Sequence, residues 1–208
     1  MNNSLNFEIP RHYKRTMVFV DGSNFLIEFA KELKVDFRAD NPPPAAIAAV
    51  SWLISSFSTN KILDMDVIRS YWFSSYQENE NDGDIIREIL RQNYLEPVIF
   101  KKKKGREKCV DIALTIEMLV NAFNKNFDVC LLISGDEDYI PLVKEVKRYG
   151  PRVWVSFFSS HGLSNSLRIA ADMFLDILKD SNAANNPSYL KAREELFEFL
   201  KSPKNVVV

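Results

Sequence analysis

Short apolar segments alternate with segments of helical periodicity along this chain, and this alternation constrains the fold more than any other feature. The apolar segments predict five strands, at residues 17–20, 66–73, 96–100, 127–133 and 153–158. Apolar residues at helical spacing predict helices at 25–33, 45–57, 85–93, 110–123, 139–149 and 163–178. Strands that alternate with helices form βαβ units, and strands with almost no polar residues are buried on both faces of a parallel sheet. The sequence therefore predicts a three-layer α/β fold, with helices on both faces of a mostly parallel central sheet of about five strands.

The length and composition fit one globular domain with a short addition. The chain has 208 residues, of which 46% are hydrophobic and 26% charged, as in ordinary globular proteins. Its 27 basic and 28 acidic side chains give a net charge of −1, which excludes a uniformly basic nucleic-acid coat. There is no long apolar stretch, no signal sequence and no cysteine framework, so we expect a cytoplasmic protein without membrane contact. After the main domain at 15–179, a polar linker at 180–187 leads to a predicted amphipathic helix at 188–201.

Acidic residues directly follow two of the predicted strands. Asp21 comes after the first strand, and Asp136 and Asp138 come after the fourth. Asp111 lies in the first turn of the helix at 110–123, which is apolar on most sides and is therefore predicted to be central. Ligands of parallel α/β sheets bind at the carboxyl ends of the strands, so these carboxylates converge if the first and fourth strands are neighbours. Taken alone, each acid could instead cap a helix or a turn.

Converging carboxylates repel one another unless a cation neutralises them. No cluster of His and Cys accompanies these acids, so the ligands would all be oxygen, and oxygen ligands suit Mg²⁺ or Mn²⁺ rather than zinc. A water bound to such a metal can attack a phosphodiester. Asn24 is either a helix cap or a group that orients a metal-bound water or a phosphate. Ser134 is either a turn hydroxyl or a partner that orients a carboxylate.

A basic run precedes Asp111 in the sequence. Only Glu107 is acidic there, and six side chains are basic: Lys101, Lys102, Lys103, Lys104, Arg106 and Lys108. A phosphate backbone needs a cationic track that leads to a metal-loaded acidic centre, so the run predicts RNA binding. Alternatively, the run is an ordinary solvated loop, and the RNA contacts are then sought first among Arg69, Trp72 and Tyr76.

Three motifs, in this order, resemble the NYN domain family, which belongs to the PIN-like nuclease superfamily. They are Val-Asp-Gly-Ser-Asn at 20–24, Lys-Cys-Val-Asp at 108–111 and Ser-Gly-Asp-Glu-Asp-Tyr at 134–139. The similarity covers residues 15–179 and implies a PIN-like sheet and a metal-dependent ribonuclease site. The resemblance implies the metal ligands Asp21, Asp111, Asp136 and Asp138, with Asn24, Ser134 and Lys108 at matching positions. Cys109 departs from the family, in which many members have glycine.

The first interpretation is therefore a ribonuclease that hydrolyses RNA phosphodiester bonds at an all-aspartate Mg²⁺ or Mn²⁺ site. The second is a non-catalytic RNA-binding or scaffold protein on the same fold. Both interpretations leave a homodimer open. A phosphatase with Asp21 as the nucleophile is disfavoured, because such sites need a second acid two residues later, where this chain has Ser23.

Overall fold

The computed structural model describes most of the chain. The described residues are 13–34, 44–58, 65–76, 80–102 and 109–179, together with positions 187, 190, 193, 194, 197 and 198. The strands are β1 (Lys14–Asp21), β2 (Met65–Tyr76), β3 (Glu96–Lys101), β4 (Val129–Ile133), β5 (Arg152–Phe157) and β6 (Met173–Asp176). The helices are α1 (Gly22–Leu33), α2 (Pro44–Ser58), α3 (Glu80–Gln92), α4 (Val110–Phe123), α5 (Ile140–Arg148) and α6 (Asn165–Ala170), and a 3₁₀ turn (Glu137–Tyr139) leads into α5.

All strands form one parallel sheet in the order β3-β2-β1-β4-β5-β6. The predicted α/β class is confirmed, and the sheet has six strands rather than five. The chain moves outward from β1 to β3, then crosses back to the other side of β1 and continues from β4 to β6. Right-handed crossovers therefore place α1–α3 on one face and α4–α6 on the other. The direction of strand addition reverses between β1 and β4, which is where such sheets form their binding crevice.

Two hydrophobic cores cover the two faces of the sheet, because successive strand residues point to opposite sides. Val18 and Val20 of β1 contribute to the first core, with side chains of α1, α2 and α3. Met17 and Phe19 contribute to the second core, with α4, α5 and α6. Residues 16–21 of β1 are all buried, so this strand is a rigid base for whatever follows it.

The predicted helix at 163–178 is wrong. The segment forms the short helix α6, which Ser164 caps by accepting a hydrogen bond from the backbone N–H of Leu167, and then the sixth strand, β6. Asp172 lies between them: one carboxylate oxygen accepts from the backbone N–H of Val153 at 2.8 Å, and the other pairs with Lys147 Nζ at 2.8 Å. In the sequence, Phe174 lies on the helical stripe predicted over 163–178, but the pairing of residues 173–176 with β5 outweighs that periodicity.

Helix α4 is an outer helix, contrary to the prediction that it is central. Its buried face carries Val110, Leu114, Met118 and Ala122, which pack in the second core. Its opposite face is apolar and exposed, with four large side chains: Ile112, Ile116, Val120 and Phe123. The sequence shows apolar residues all round this helix, and periodicity alone does not reveal which face the sheet covers.

The predicted linker and C-terminal helix lie largely outside the described residues. Among the described positions of that region, Phe197 packs against the first core, and the Arg193 guanidinium lies 5.5 Å from the centre of its ring. Over the described part of the chain, none of the helices combines the length and apolar character needed to span a membrane.

Candidate active site

A cleft of about 360 Å³ opens at the carboxyl ends of β1 and β4, where strand addition reverses direction. Nine residues line it: Asp21, Ser23, Asn24, Ile27, Cys109, Val110, Asp111, Ile112 and Asp136. Three of the four predicted acids therefore share one cavity. A larger cavity of about 960 Å³ opens at the opposite edge of the sheet and contains none of these acids.

Asp21 is the buried anchor of the cleft. It ends β1, is only 3% exposed, and caps α1 by accepting a hydrogen bond from the backbone N–H of Asn24 at 3.1 Å. Its other carboxylate oxygen lies 3.4 Å from Ser134 Oγ and 3.2 Å from the hydroxyl of Tyr139. Asp21 thus has both of the roles considered for it: it caps helix α1, and it lines the acidic cleft.

Asn24 and Ser134 join the two loops. Val20 pairs with Ile133, so Asp21 and Ser134 continue side by side beyond the ladder. The amide oxygen of Asn24 accepts from the backbone N–H of Gly135 at 3.0 Å and lies 3.3 Å from Ser134 Oγ. Ser134 Oγ in turn accepts from the backbone N–H of Asp136 at 3.2 Å. Asn24 is therefore not the cap of α1; it holds the loop after β4 against the first turn of α1.

Tyr139 is a site residue that sequence reasoning did not identify. Its hydroxyl lies 3.2 Å from Asp21 and 3.1 Å from Asp111, so it bridges an acid from β1 and an acid from α4. Burial raises the pKa of Tyr139 far above its usual value, and the two neighbouring carboxylates raise it further. The phenol has a single proton, so it donates to one of the two carboxylates at a time. The available signal was its place at the end of the Ser-Gly-Asp-Glu-Asp-Tyr motif, one 3₁₀ turn after Asp136.

Asp111 enters the cleft from the start of α4. It is exposed and lies in the first helical turn, where the helix dipole favours a carboxylate. The preceding Cys109 has φ 73°, in the left-handed region that glycine adopts without strain. Glycine at this position would therefore be free of the strain that Cys109 carries.

The loop after β4 places its acids differently. Asp136 is half-buried, lines the cleft and caps the 3₁₀ turn by accepting from the backbone N–H of Asp138 at 3.0 Å. Asp138 itself is exposed and is not among the residues that line the cleft. Glu137 is also exposed, and Ser164 Oγ lies 3.4 Å from its carboxylate. The structure thus brings together Asp21, Asp111 and Asp136, and it leaves Asp138 beside them.

The oxygen atoms that line the cleft are suitable ligands for a hard cation. Carboxylates, a hydroxyl and an amide oxygen line the cavity, although no group of three His, Cys, Asp or Glu side chains within the described ranges is close enough to enclose an ion. Mg²⁺ keeps several waters and commonly uses only one or two protein carboxylates. The chemistry of the residues present therefore fits a partly hydrated Mg²⁺ or Mn²⁺ ion better than an enclosed structural ion.

The basic run begins at the same edge of the sheet. Lys101 ends β3, and the backbone N–H of Lys102 donates to the carbonyl of Tyr76 at 2.9 Å. The other predicted RNA-binding residues lie outside the described residues: Lys103, Lys104, Arg106 and Lys108. Trp72 is completely buried, and Tyr76 is 8% exposed, so neither presents a ring for stacking on a base.

The six strands form a parallel α/β sheet with an acidic crevice at the point where the direction of strand addition reverses. The NYN domain model matches residues 15–178, and the chain belongs to the NYN domain family. Its structure is similar to that of a protein of unknown function from Vibrio parahaemolyticus, with a TM-score of 0.59 and 21% identity over 81% of this chain and 96% of the other. No curated protein sequence matches this chain significantly.

Proposed function

We propose that this protein is a metal-dependent ribonuclease that hydrolyses RNA phosphodiester bonds in the acidic cleft. One observation carries the proposal: Asp21, Asp111 and Asp136, from three separate elements, line one cavity in a chain of the NYN family. Capping accounts for Asp21 and Asp136 one at a time, but it does not account for the convergence of three carboxylates, whose mutual repulsion a cation would remove.

Each residue of the cleft has a definite task in this proposal. Asp21 and Asp111 hold the ion, and the hydroxyl of Tyr139 keeps their oxygens facing each other. When bound, the ion supplies Lewis acidity and a bound water of lowered pKa for attack on phosphorus. Asp136 would accept a proton in the cleft or add a further ligand, and Asn24 keeps the loop of Asp136 in place by accepting from the N–H of Gly135. Asp138 remains a proposed outer participant beside Asp136.

RNA is the proposed partner because a cationic run lies in the sequence between the end of β3 and the start of α4. Lys101 and Lys102 follow the carboxyl end of β3, and the chain then reaches Asp111 through the remaining basic residues. Binding to phosphates is independent of sequence and is weakened by salt. Replacement of Lys101, Lys102, Lys103 and Lys104 by Ala should therefore weaken RNA binding and reduce its salt slope by about 0.7 for each phosphate that is no longer neutralised.

The decisive experiment compares cleavage of single-stranded RNA with and without EDTA in the wild type and in Asp111→Asn. Asp111 is the best target because it is exposed and caps no helix, so its replacement should leave the fold intact. The matched control is Glu137→Gln, which removes the same charge from a neighbouring exposed acid outside the cleft. EDTA-sensitive cleavage that is lost in Asp111→Asn and kept in Glu137→Gln supports the proposal. Asp138→Asn then reports whether the outer acid takes part.

Metal binding can be measured separately from cleavage. Saturating Mn²⁺ or Mg²⁺ should stabilise the wild type by about 1–3 kcal/mol through preferential binding to the folded state. Asp111→Asn should reduce this gain, and Glu137→Gln should keep it. RNA binding without cleavage and without any metal-induced stabilisation would instead assign a non-catalytic RNA-binding role to the same fold.

A further inference from the structure

The exposed face of α4 is an apolar surface that meets the proposed ribonuclease site only at Ile112. Its side chains are 63%, 56%, 50% and 68% exposed at Ile112, Ile116, Val120 and Phe123. These positions repeat at helical spacing directly opposite the buried face of the helix. Tyr149, 40% exposed at the end of α5, packs its ring edge-on against Phe123 at 5.9 Å and extends the surface. We call these five residues the α4 stripe.

The described part of the C-terminal segment does not cover the α4 stripe. Phe197 packs against the first core, on the face of the sheet that carries α1, α2 and α3. Helix α4 lies on the other face, with α5 and α6. The described end of this chain is therefore on the wrong side of the sheet to shield the stripe.

The size of the stripe fits an interface between proteins. Five large side chains that are half-exposed present on the order of 100 Å² each, which gives an apolar patch of about 500 Å². The largest apolar patch on a monomer usually measures about 300–600 Å² and is often functional. Two such patches packed together bury about 1,000 Å², which is the lower end for a specific interface, before the polar rim is counted.

The stripe is complementary to itself when two copies run in opposite directions. An antiparallel pair of α4 helices sets Ile112 against Phe123 of the partner subunit, and Ile116 against Val120 of the partner subunit. The two ends of the helix also match in charge: the acidic cleft opens at its start, whereas the exposed Lys125 lies just past its end. A two-fold axis thus brings opposite charges together at both ends, as an isologous interface requires.

We propose that the α4 stripe is the interface of a homodimer in which the two α4 helices pack antiparallel about a two-fold axis. Ile112 belongs both to the stripe and to the lining of the acidic cleft. The partner subunit therefore completes one wall of each cleft, with the partner's Phe123 on Ile112 and the partner's Lys125 toward the acidic end. The two clefts lie at opposite ends of the interface, about 20 Å apart along a helix of 14 residues.

Sedimentation of nuclease-treated protein over a range of concentrations tests the dimer. The wild type should dimerise, and Ile116→Asp and Phe123→Asp should each raise the dissociation constant at least about tenfold, because a buried charge is added twice per dimer. The matched control is Ile169→Asp, which alters a 72% exposed isoleucine on α6 and should leave the dimer intact. Circular dichroism melting checks that each variant is folded. A monomeric wild type, or a folded Phe123→Asp that dimerises normally, overturns the proposal.

Disulfide trapping tests the direction of packing. Cys109 is exposed near the stripe, so the trapping variants carry Cys109→Gly. A mixture of Ile112→Cys and Phe123→Cys should give the mixed cross-linked dimer on mild oxidation, and Ile112→Cys alone should not. Cross-linking of Ile112→Cys to itself, without the mixed product, would mean that the helices are parallel and would refute the proposed arrangement.

Discussion

Asp21 and Asp136 follow neighbouring parallel strands and have the same local task, yet their surroundings differ. Each carboxylate caps the element that comes next, Asp21 for α1 and Asp136 for the 3₁₀ turn before α5. Asp21 is buried and also lies within hydrogen-bond distance of Ser134 and Tyr139, whereas Asp136 is half-buried at the rim of the cleft. Capping therefore depends on the local turn, whereas burial depends on packing by residues that are distant in the sequence.

Because of this difference, replacing Asp21 and replacing Asp136 should have different effects on stability and activity. Removing Asp21 affects the fold as well as the cleft, because buried donors lose their acceptor. Removing Asp136 affects mainly a turn and a surface of the cleft. Loss of activity on replacement of Asp21 is consequently ambiguous, and loss on replacement of Asp136 or Asp111 is informative.

The largest effect on stability is expected where the loop after β4 touches the segment that contains Gly162. A Cβ on Gly135 would stand 1.9 Å from the carbonyl oxygen of Gly162, so Gly135→Ala must displace backbone. A Cβ on Gly22 would stand 2.2 Å from the buried ring of Trp72, which is a side chain rather than backbone. We expect Gly135→Ala to destabilise the fold by about 3 kcal/mol or more, and Gly22→Ala by less. Urea denaturation measures both, and a cost for Gly135→Ala below that of Gly22→Ala would contradict the ranking.

The next effect separates the two caps directly. Asp21→Ala should cost about 2–4 kcal/mol, because it removes a cap and leaves the buried hydroxyl groups of Ser134 and Tyr139 without this acceptor. Asp136→Ala should cost about 1 kcal/mol, the usual value for a cap alone. Free energies of unfolding from urea titrations in EDTA check this without interference from bound metal. Equal costs would show that the burial of Asp21 is irrelevant to stability.

Tyr139, which contacts Asp21, should make the stability of the fold depend on pH. Its raised pKa means that the folded state favours the protonated phenol, so its contribution to stability is complete below about pH 10 and declines as the pH rises further. Tyr139→Phe should cost about 1–2 kcal/mol at neutral pH and should flatten the fall in stability above about pH 10. Urea titrations across this range measure it. Tyr94→Phe, at an 88% exposed tyrosine, is the control and should follow the wild type.

The smallest effect on stability is expected at Cys109, which lines the cleft just before α4. Cys109→Gly removes a side chain from a residue at φ 73° and should relieve up to about 1 kcal/mol of backbone strain, partly offset by the greater freedom of unfolded glycine. A small rise in the melting temperature, with unchanged metal affinity, is the expected result. Cys109→Ala keeps the strain and serves as the control; an equal rise in that variant would attribute the gain to the thiol rather than to the backbone.

The part of the fold that the sequence predicts well is the part with unambiguous local signals. β1 and β4 are apolar runs that stop at acidic turns, and both lie next to each other in the sheet as the carboxylate argument requires. The sequence pattern did not predict β6, because residues 163–178 also fit one helical stripe. Residues 173–176 form a strand because they pair with the edge of β5. The pattern failed for the outer position of α4 for a related reason: apolar residues occur all round this helix, so the sequence does not indicate which face the sheet covers.

The candidate site shows the same division. Asp21, Asp111 and Asp136 carry signals of their own, as acids at strand ends or in a first helical turn. The bridging position of Tyr139 depends on the approach of α4 to β1, which no local pattern encodes. The exposed position of Asp138 depends on the 3₁₀ geometry of three residues, and this is finer than any periodicity resolves.

Because β1 is central, its two edges gain partners at different times during synthesis. β2 begins at Met65, whereas β4 begins at Val129. At about 5–20 residues per second, the ribosome needs roughly 3–13 s to cover that interval. Until then the nascent sheet can contain only β3, β2 and β1, and the second edge of β1 offers unpaired N–H and C=O groups to other chains. Insertion of β4 closes that edge and brings Ser134 to Asp21, so protection from aggregation and assembly of the acidic cleft are one folding event.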